Sequence, residues 1–245
     1  MLRSCLLFAL LAAATPSAGE TTGPVLLHEA FEAVPAGTTL PAGWWSEGSK
    51  AVAAKDGQLV QDANPDGSGE TSGNSVIWIG TEFAGDIRFE ADVKVASAKG
   101  NVNDIVVFFL FSSPAGKALR ETSAERVSAK QGLYTKHMNG YVFFFWGKGG
   151  VTTPANIRLR DCPGGKLLRE TNAHSVTTGK TYRLAIEKQG TVLRLFADGV
   201  KCAEHDTSTD LSTNPDHAKG LIGLKTWNTE LVWDNIRVTQ IPTKP

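Results

Sequence analysis

Apolar and β-branched residues alternate with polar ones along most of the chain, in short runs separated by Gly, Pro, Asn and Asp. This is the period-two pattern of half-buried strands. The clearest runs are Val25 to Phe31, Gln58 to Gln61, Ser75 to Ile79, Asp86 to Val95, Asp104 to Phe111, Tyr141 to Trp146, Ala155 to Asp161, Thr181 to Glu187, Val192 to Ala197, Leu221 to Trp227 and Leu231 to Ile241. A series of this kind predicts an all-β protein, either two stacked sheets or a barrel. Asp198-Gly199 predicts a two-residue type I′ hairpin between Val192–Ala197 and Val200–Ala203. Lys117 to Lys130 contains Ala, Glu, Leu and Arg without Gly or Pro, and reads as a short helix or mobile insert. No repeat, low-complexity tract or Pro- or Ser-rich linker divides the chain after residue 30, so one domain over 19–245 is expected.

The same alternation assigns faces. Along Asp86 to Val95 the apolar side carries Ile87, Phe89, Ala91, Val93 and Val95, while Arg88, Glu90, Asp92 and Lys94 form a solvated row of mixed sign. Along Ala155 to Asp161, Ile157 and Leu159 face inward, which puts Asn156, Arg158 and Arg160 on the other side. Ile222 and Leu224 likewise leave Lys225 and Trp227 facing outward. Asp104 to Phe111 and Tyr141 to Trp146 are apolar on both faces, as expected of central strands covered on each side. Phe109, Phe111, Phe143 and Phe145 are assigned to the core, and Tyr141 and Trp146 to strand ends where a ring either packs under a loop or stacks on a sugar.

Composition narrows the partners. Lys plus Arg and Asp plus Glu each number 25, which removes any general electrostatic reason to expect nucleic acid or an anionic membrane. Residues 1–18 read as a secretory signal peptide: Met-Leu-Arg, an apolar run from Cys5 to Ala14, then small residues to Ala18. No membrane span is expected, because no later apolar segment is long enough to cross a bilayer. The expected location is therefore secreted or periplasmic. In that oxidising setting the two remaining cysteines, Cys162 and Cys202, are expected to pair as a disulfide.

Several marks together resemble the concanavalin A-like lectin/glucanase superfamily. They are Leu27-His28-Glu29-Ala30-Phe31, Asp56-Gly57-Gln58-Leu59, the Phe83 to Ala91 strand, Phe196-Ala197-Asp198-Gly199, and the closing Gly223-Leu224-Lys225-Thr226 with Trp233 to Val238. The resemblance implies a jelly-roll sandwich of two antiparallel sheets with a ligand face. Asn103-Asp104, Ser113-Pro114, Gly132-Leu133-Tyr134 with His137, and the run from Gly147 to Arg160 resemble uncharacterised-domain proteins encoded beside polysaccharide-degrading enzymes. The Asp86 strand and Asn235-Ile236-Arg237 give a looser similarity to the 3-keto-disaccharide hydrolase domain.

The expected partner is thus a polysaccharide or oligosaccharide. The expected activity is that of a polysaccharide lyase or glycoside hydrolase, with a non-catalytic glycan-binding module as the alternative. A retaining glucanase needs two carboxylates about 5 to 5.5 Å apart; Glu90-x-Asp92 supplies a pair, but Lys94 follows where a further acid is expected. A lyase acting on uronates needs a cation, a base and an acid. His137, Tyr141, Arg158 and Arg160 are the candidate catalytic residues for that chemistry. Asp104, Trp146, Thr153, Asn156, Lys225 and Trp227 are the candidate substrate-binding residues, the two Trp as stacking platforms. No cofactor is required; the resemblance allows a structural calcium near the paired terminal strands, where Glu29, Asp234 and Asn235 offer hard oxygen ligands.

Overall fold

A computed structural model describes residues 23–34, 40–48, 51–63, 73–98, 102–114, 116–148, 153–210 and 217–242. The expected signal peptide lies outside the described residues. In chain order the strands begin with β1 (Val25–Glu29), β2 (Trp45–Gly48), β3 (Ala51–Lys55) and β4 (Gln58–Asp62). Then follow β5 (Asn74–Trp78), β6 (Phe83–Ala84), β7 (Ile87–Ala98) and β8 (Val102–Ser112). After an insert come β9 (Asn139–Lys148), β10 (Thr153–Cys162), β11 (Lys166–Val176) and β12 (Thr181–Gln189). The last four are β13 (Val192–Ala197), β14 (Val200–Asp206), β15 (Lys219–Trp227) and β16 (Thr229–Gln240).

These strands form two antiparallel sheets, ordered β14-β13-β12-β7-β16-β4-β3 with β1 beside β16, and β11-β10-β9-β8-β15-β5-β2 with β6 beside β15. The fold is therefore the expected jelly-roll β-sandwich. Asp198 and Gly199 both have positive φ, 51° and 78°, as a type I′ turn requires. No helix among the described residues is long and apolar enough to cross a membrane.

The inner faces are those that alternation assigns. Ile87, Phe89, Ala91, Val93 and Val95 of β7 meet Ile105, Val107 and Phe109 of β8, Ile157 and Leu159 of β10, and Ile222 and Leu224 of β15 in one buried cluster. Phe111 departs from its assignment. The β8–β9 register shifts between Phe109 and Ser112, and Leu110 takes φ 55°, which is a β-bulge. Leu110 therefore stays on the inner side and Phe111 turns to the outer one. Gly140 accommodates the displaced ring: with φ 141°, a Cβ there would lie 2.3 Å from a Phe111 ring carbon.

A second apolar cluster forms on the outer face of the second sheet. Val76, Trp78, Val106, Phe108, Phe111 and Val142 pack there under Leu119, Ala129, Tyr134 and Met138 of the insert. Lys117 to Lys130 does not form an α-helix: it holds a 3₁₀ turn at Ser123–Arg126, and helix α1 follows at Gln131–Thr135. Polar bonds fix this cap to the sheet. Buried Arg126 donates to both carboxylate oxygens of Glu47 on β2, at 2.7 and 3.1 Å, and to the carbonyls of Leu119 and Thr122. Tyr134 donates its hydroxyl to Glu47 at 2.6 Å, and burial followed by the Glu47 charge holds that phenol well above its usual range.

The expected disulfide is absent: Cys162 and Cys202 are both free. Cys162 packs in the outer cluster and Cys202 in the inter-sheet core, so they belong to different apolar layers. Burial pushes the Cys162 thiol up to about 12, with the Asp161 charge adding to it. Two outcomes follow from this packing. Reductant should leave the urea midpoint unchanged. Arg126→Ala should cost about 3–5 kcal/mol in the same measurement, because it strands a buried carboxylate, and the Glu47→Leu/Arg126→Met pair should recover most of that loss.

Candidate functional site

The insert covers only part of the outer face, and beyond its edge a groove of about 630 Å³ opens. Cross-strand register builds it. Trp146 of β9 lies opposite Asn156 of β10 and Asp104 of β8. The next row runs Arg158, Phe144, Val106, Lys225, Val76 and Glu47 across β10, β9, β8, β15, β5 and β2. Because the side-chain period is two, the described side chains of both rows point away from the sandwich core. Trp227 stands at the end of β15 opposite Asn74, 42% exposed.

Asp104 and Lys225 form the floor. Both are buried, and Lys225 Nζ lies 3.7 Å from Asp104 Oδ2. Burial pushes the Asp104 carboxyl up, against the opposing charge of Lys225. It pushes the Lys225 ammonium down, against the opposing charge of Asp104. Desolvation disfavours both charged forms, so a proton moves between the two groups at lower cost than between the same groups in water. Two threonines fix the Asp104 backbone. Its N–H donates to Thr229 Oγ1 at 3.2 Å, and its carbonyl accepts from Thr226 Oγ1 at 2.8 Å.

The wall is aromatic and cationic. The Arg158 guanidinium sits 5.7 Å over the Trp146 ring and pairs with Glu170 at 3.1 Å. Arg160 donates to the Gly165 carbonyl at 2.7 Å, which ties the turn after β10 to the rim. Lys130, Gln131, Thr135 and Lys136 of the insert close the opposite rim. Asp104 is the one carboxylate among the described residues that line the groove.

Of the residues singled out in the sequence, the structure brings Asp104, Trp146, Arg158, Arg160, Lys225 and Trp227 together here. Lys225 faces outward on its strand yet is only 1% exposed, where alternation alone implied exposure. Tyr141 is not in the groove. It points inward, with its ring 4.6 Å from that of buried His217. His137 lies in a separate recess with Ser113, Arg126 and Met138, because α1 ends before it and carries it past the groove. Thr153 and Asn156 have their backbone in β10; their side chains lie outside the described residues.

The residues expected at a calcium site are engaged within the chain. Glu29 accepts from the Phe31 N–H, Asp234 accepts from the Asn235 N–H and from Gln58, and Asn235 donates to Asp92. Among the described residues no three His, Cys, Asp or Glu side chains gather where they could hold a metal ion. Glu90 and Asp92 sit on the outer face of the first sheet in ion pairs with Arg88 and Arg183, far from the groove. Sequence reasoning missed Asn74, which sits one residue before the recognised run, and Lys130 and Lys136, which only the folded insert brings to the rim.

No curated protein matches this chain. Among solved structures, a Bacillus subtilis protein of unknown function with a galectin-like fold aligns at TM-score 0.70 and 18% identity, over 91% of this chain and 99% of its own. A carbohydrate binding module from Bacillus subtilis, CBM66, aligns at 0.53 and 18%, over 81% and 96%. A beta-1,3-glucanase from Mycobacterium marinum aligns at 0.57 and 14%, over 88% and 99%. At these identities the likeness establishes the concanavalin A-like fold. The family described as the 3-keto-alpha-glucoside-1,2-lyase-like domain matches residues 30–239, nearly the whole sandwich, and the chain belongs to that family.

Proposed function

We propose that the groove binds a glycoside and that Asp104 and Lys225 eliminate its aglycone. The observation that carries this reading is the buried acid–lysine pair at the floor of a groove flanked by tryptophans. A glycosidase of the usual two-carboxylate type needs a second acid across the bond, and the described lining offers only Asp104. Elimination needs one base and one cation. The family's description names the substrate class, a 3-keto-α-glucoside.

In such a sugar the C3 ketone acidifies the C2 proton. Asp104, made more basic by burial, takes that proton, and the ammonium of Lys225 stabilises the negative charge that develops on O3. As the C1=C2 bond forms, the C1–O bond breaks. The proton held by the pair passes to the departing oxygen, leaving an unsaturated ketosugar and an alcohol. Trp146 and Trp227 supply apolar faces for sugar rings. The expected leader would deliver the protein to an exported location where such sugars arrive. A non-catalytic glycan-binding role rests on the same two tryptophans and needs no titrating pair.

A 3-keto-glucoside with a chromophoric aglycone tests the proposal: turnover should release the aglycone and raise conjugated-enone absorbance together. Asp104→Asn and Lys225→Met should each lower kcat about 100-fold or more. Undiminished turnover in Asp104→Asn, or binding without enone in the parent, would refute the elimination. A second outcome concerns protonation. Lys225→Met removes the charge that opposes burial, so Asp104 should hold its proton to higher pH than in the parent, as read by ¹³C titration of its carboxyl. With its folded-state pKa above the unfolded-state value, this carboxyl stabilises the variant at low pH. That contribution declines as pH rises from the unfolded-state value through the folded-state one.

A further inference from the structure

The insert leaves a second cavity uncovered at its other edge, of about 660 Å³, lined by Trp45, Phe111, Leu119, Arg120 and Leu221 among others. It shares strands with the first groove. On β15 the first groove takes Lys225 and Trp227 while the second takes Lys219 and Leu221. Six residues of extended chain separate these ends by about 20 Å. On β8 the order is reversed, from Asp104 at the first groove to Phe111 at the second. The two cavities thus open on one face, on either side of the same apolar cap.

The chemistry of the second cavity differs from that of the first. The Arg120 guanidinium lies 5.6 Å over the Trp45 ring. Its hydrogen bond is a long one, 3.4 Å to the Gly43 carbonyl, and no carboxylate among the described residues pairs with it. Trp45 is itself fixed from behind by stacking on buried Trp78 at 6.1 Å. Held over this indole, the guanidinium keeps a fork of N–H donors, which matches a two-oxygen acceptor. Exposed Lys117 and Lys219 stand in the same lining; the one acid there, Glu82, pairs with Lys219 at 3.2 Å. Beside these cations, half-buried Leu221 and Trp45 offer an apolar surface of the kind that accepts the C–H face of a sugar ring, and Ser112 and Ser113 offer hydroxyls.

We infer that this cavity is a second saccharide site, without catalytic groups, that takes an acidic sugar. The carboxylate engages Arg120, and Lys117 adds long-range attraction. The ring lies on Leu221. The site works independently of chemistry at Asp104, so a failed elimination assay does not bear on it.

The test is binding to the full chain followed by the tryptophan indole N–H signals, with Trp45 assigned through Trp45→Phe. Trigalacturonate, neutral maltotriose and inorganic sulfate are the probes. Trigalacturonate should move the Trp45 signal in a saturable way, at least tenfold more tightly than sulfate, and maltotriose should leave it in place. Arg120→Gln, on the exposed rim, should keep the rest of the spectrum and weaken trigalacturonate at this site about tenfold or more, the worth of a charge-assisted hydrogen bond. A stationary Trp45 signal, equal binding of maltotriose or of sulfate, or an unchanged affinity in Arg120→Gln would each overturn the assignment.

Discussion

The contact between Arg126 and Glu47 decides what the second sheet can do. A jelly-roll sheet with one apolar and one polar face needs no cover, yet here the outer face carries Val76, Trp78, Val106, Phe108 and Phe111, and water must be kept from them. The insert does this, and its fit depends on a buried guanidinium with a salt bridge at 2.7 Å and bonds to the Leu119 and Thr122 carbonyls. Bringing two charges out of water costs several kcal/mol each, and only near-complete hydrogen bonding offsets that. An apolar cap alone could slide on an apolar sheet. The ion pair gives it one position, and that position defines the edges at which both cavities begin.

The two outer faces of the sandwich show what such cover changes. On the first sheet, Arg183 pairs with Asp92, and Arg194 with Glu204, all in contact with water. Pairs of this kind contribute little to stability. On the second sheet an acid and a cation again meet, but Asp104 and Lys225 stand 3.7 Å apart and both are buried. There burial moves both groups toward their neutral forms. Opposite charges meet on both faces; what separates the two is solvent access.

A polar link through the core ties this floor to the first sheet. Trp233 Nε1 donates to Gln61 Oε1 at 2.9 Å, and Gln61 Nε2 donates to the carbonyls of Leu224 and Ser75 at 3.0 and 3.2 Å. Leu224 precedes Lys225 and Ser75 follows Asn74, so one buried glutamine fixes the backbone of two groove strands. Buried polar groups that are fully bonded rigidify a core and give it a single arrangement.

Strand alternation read from the chain alone was enough for the sandwich, for the inner faces of β7, β10 and β15, and for bringing Arg158, Arg160, Lys225 and Trp227 to one surface. That information is local, because a strand's two faces follow from its own sequence. What the residues could not reveal by themselves depends on distant neighbours. The bulge at Leu110 reverses parity and sends Phe111 outward. Cys162 and Cys202 occupy different apolar layers, which a redox argument cannot sense. Tyr141 and His137 share residue types with the site but not its location. Above all, Lys225 is buried beside Asp104 where its strand pattern implied exposure, and the insert on this face is held by Glu47 and Arg126, which lie 79 positions apart and meet only in the folded chain. Local periodicity determines which way a side chain points, and tertiary packing alone determines whether it points into water.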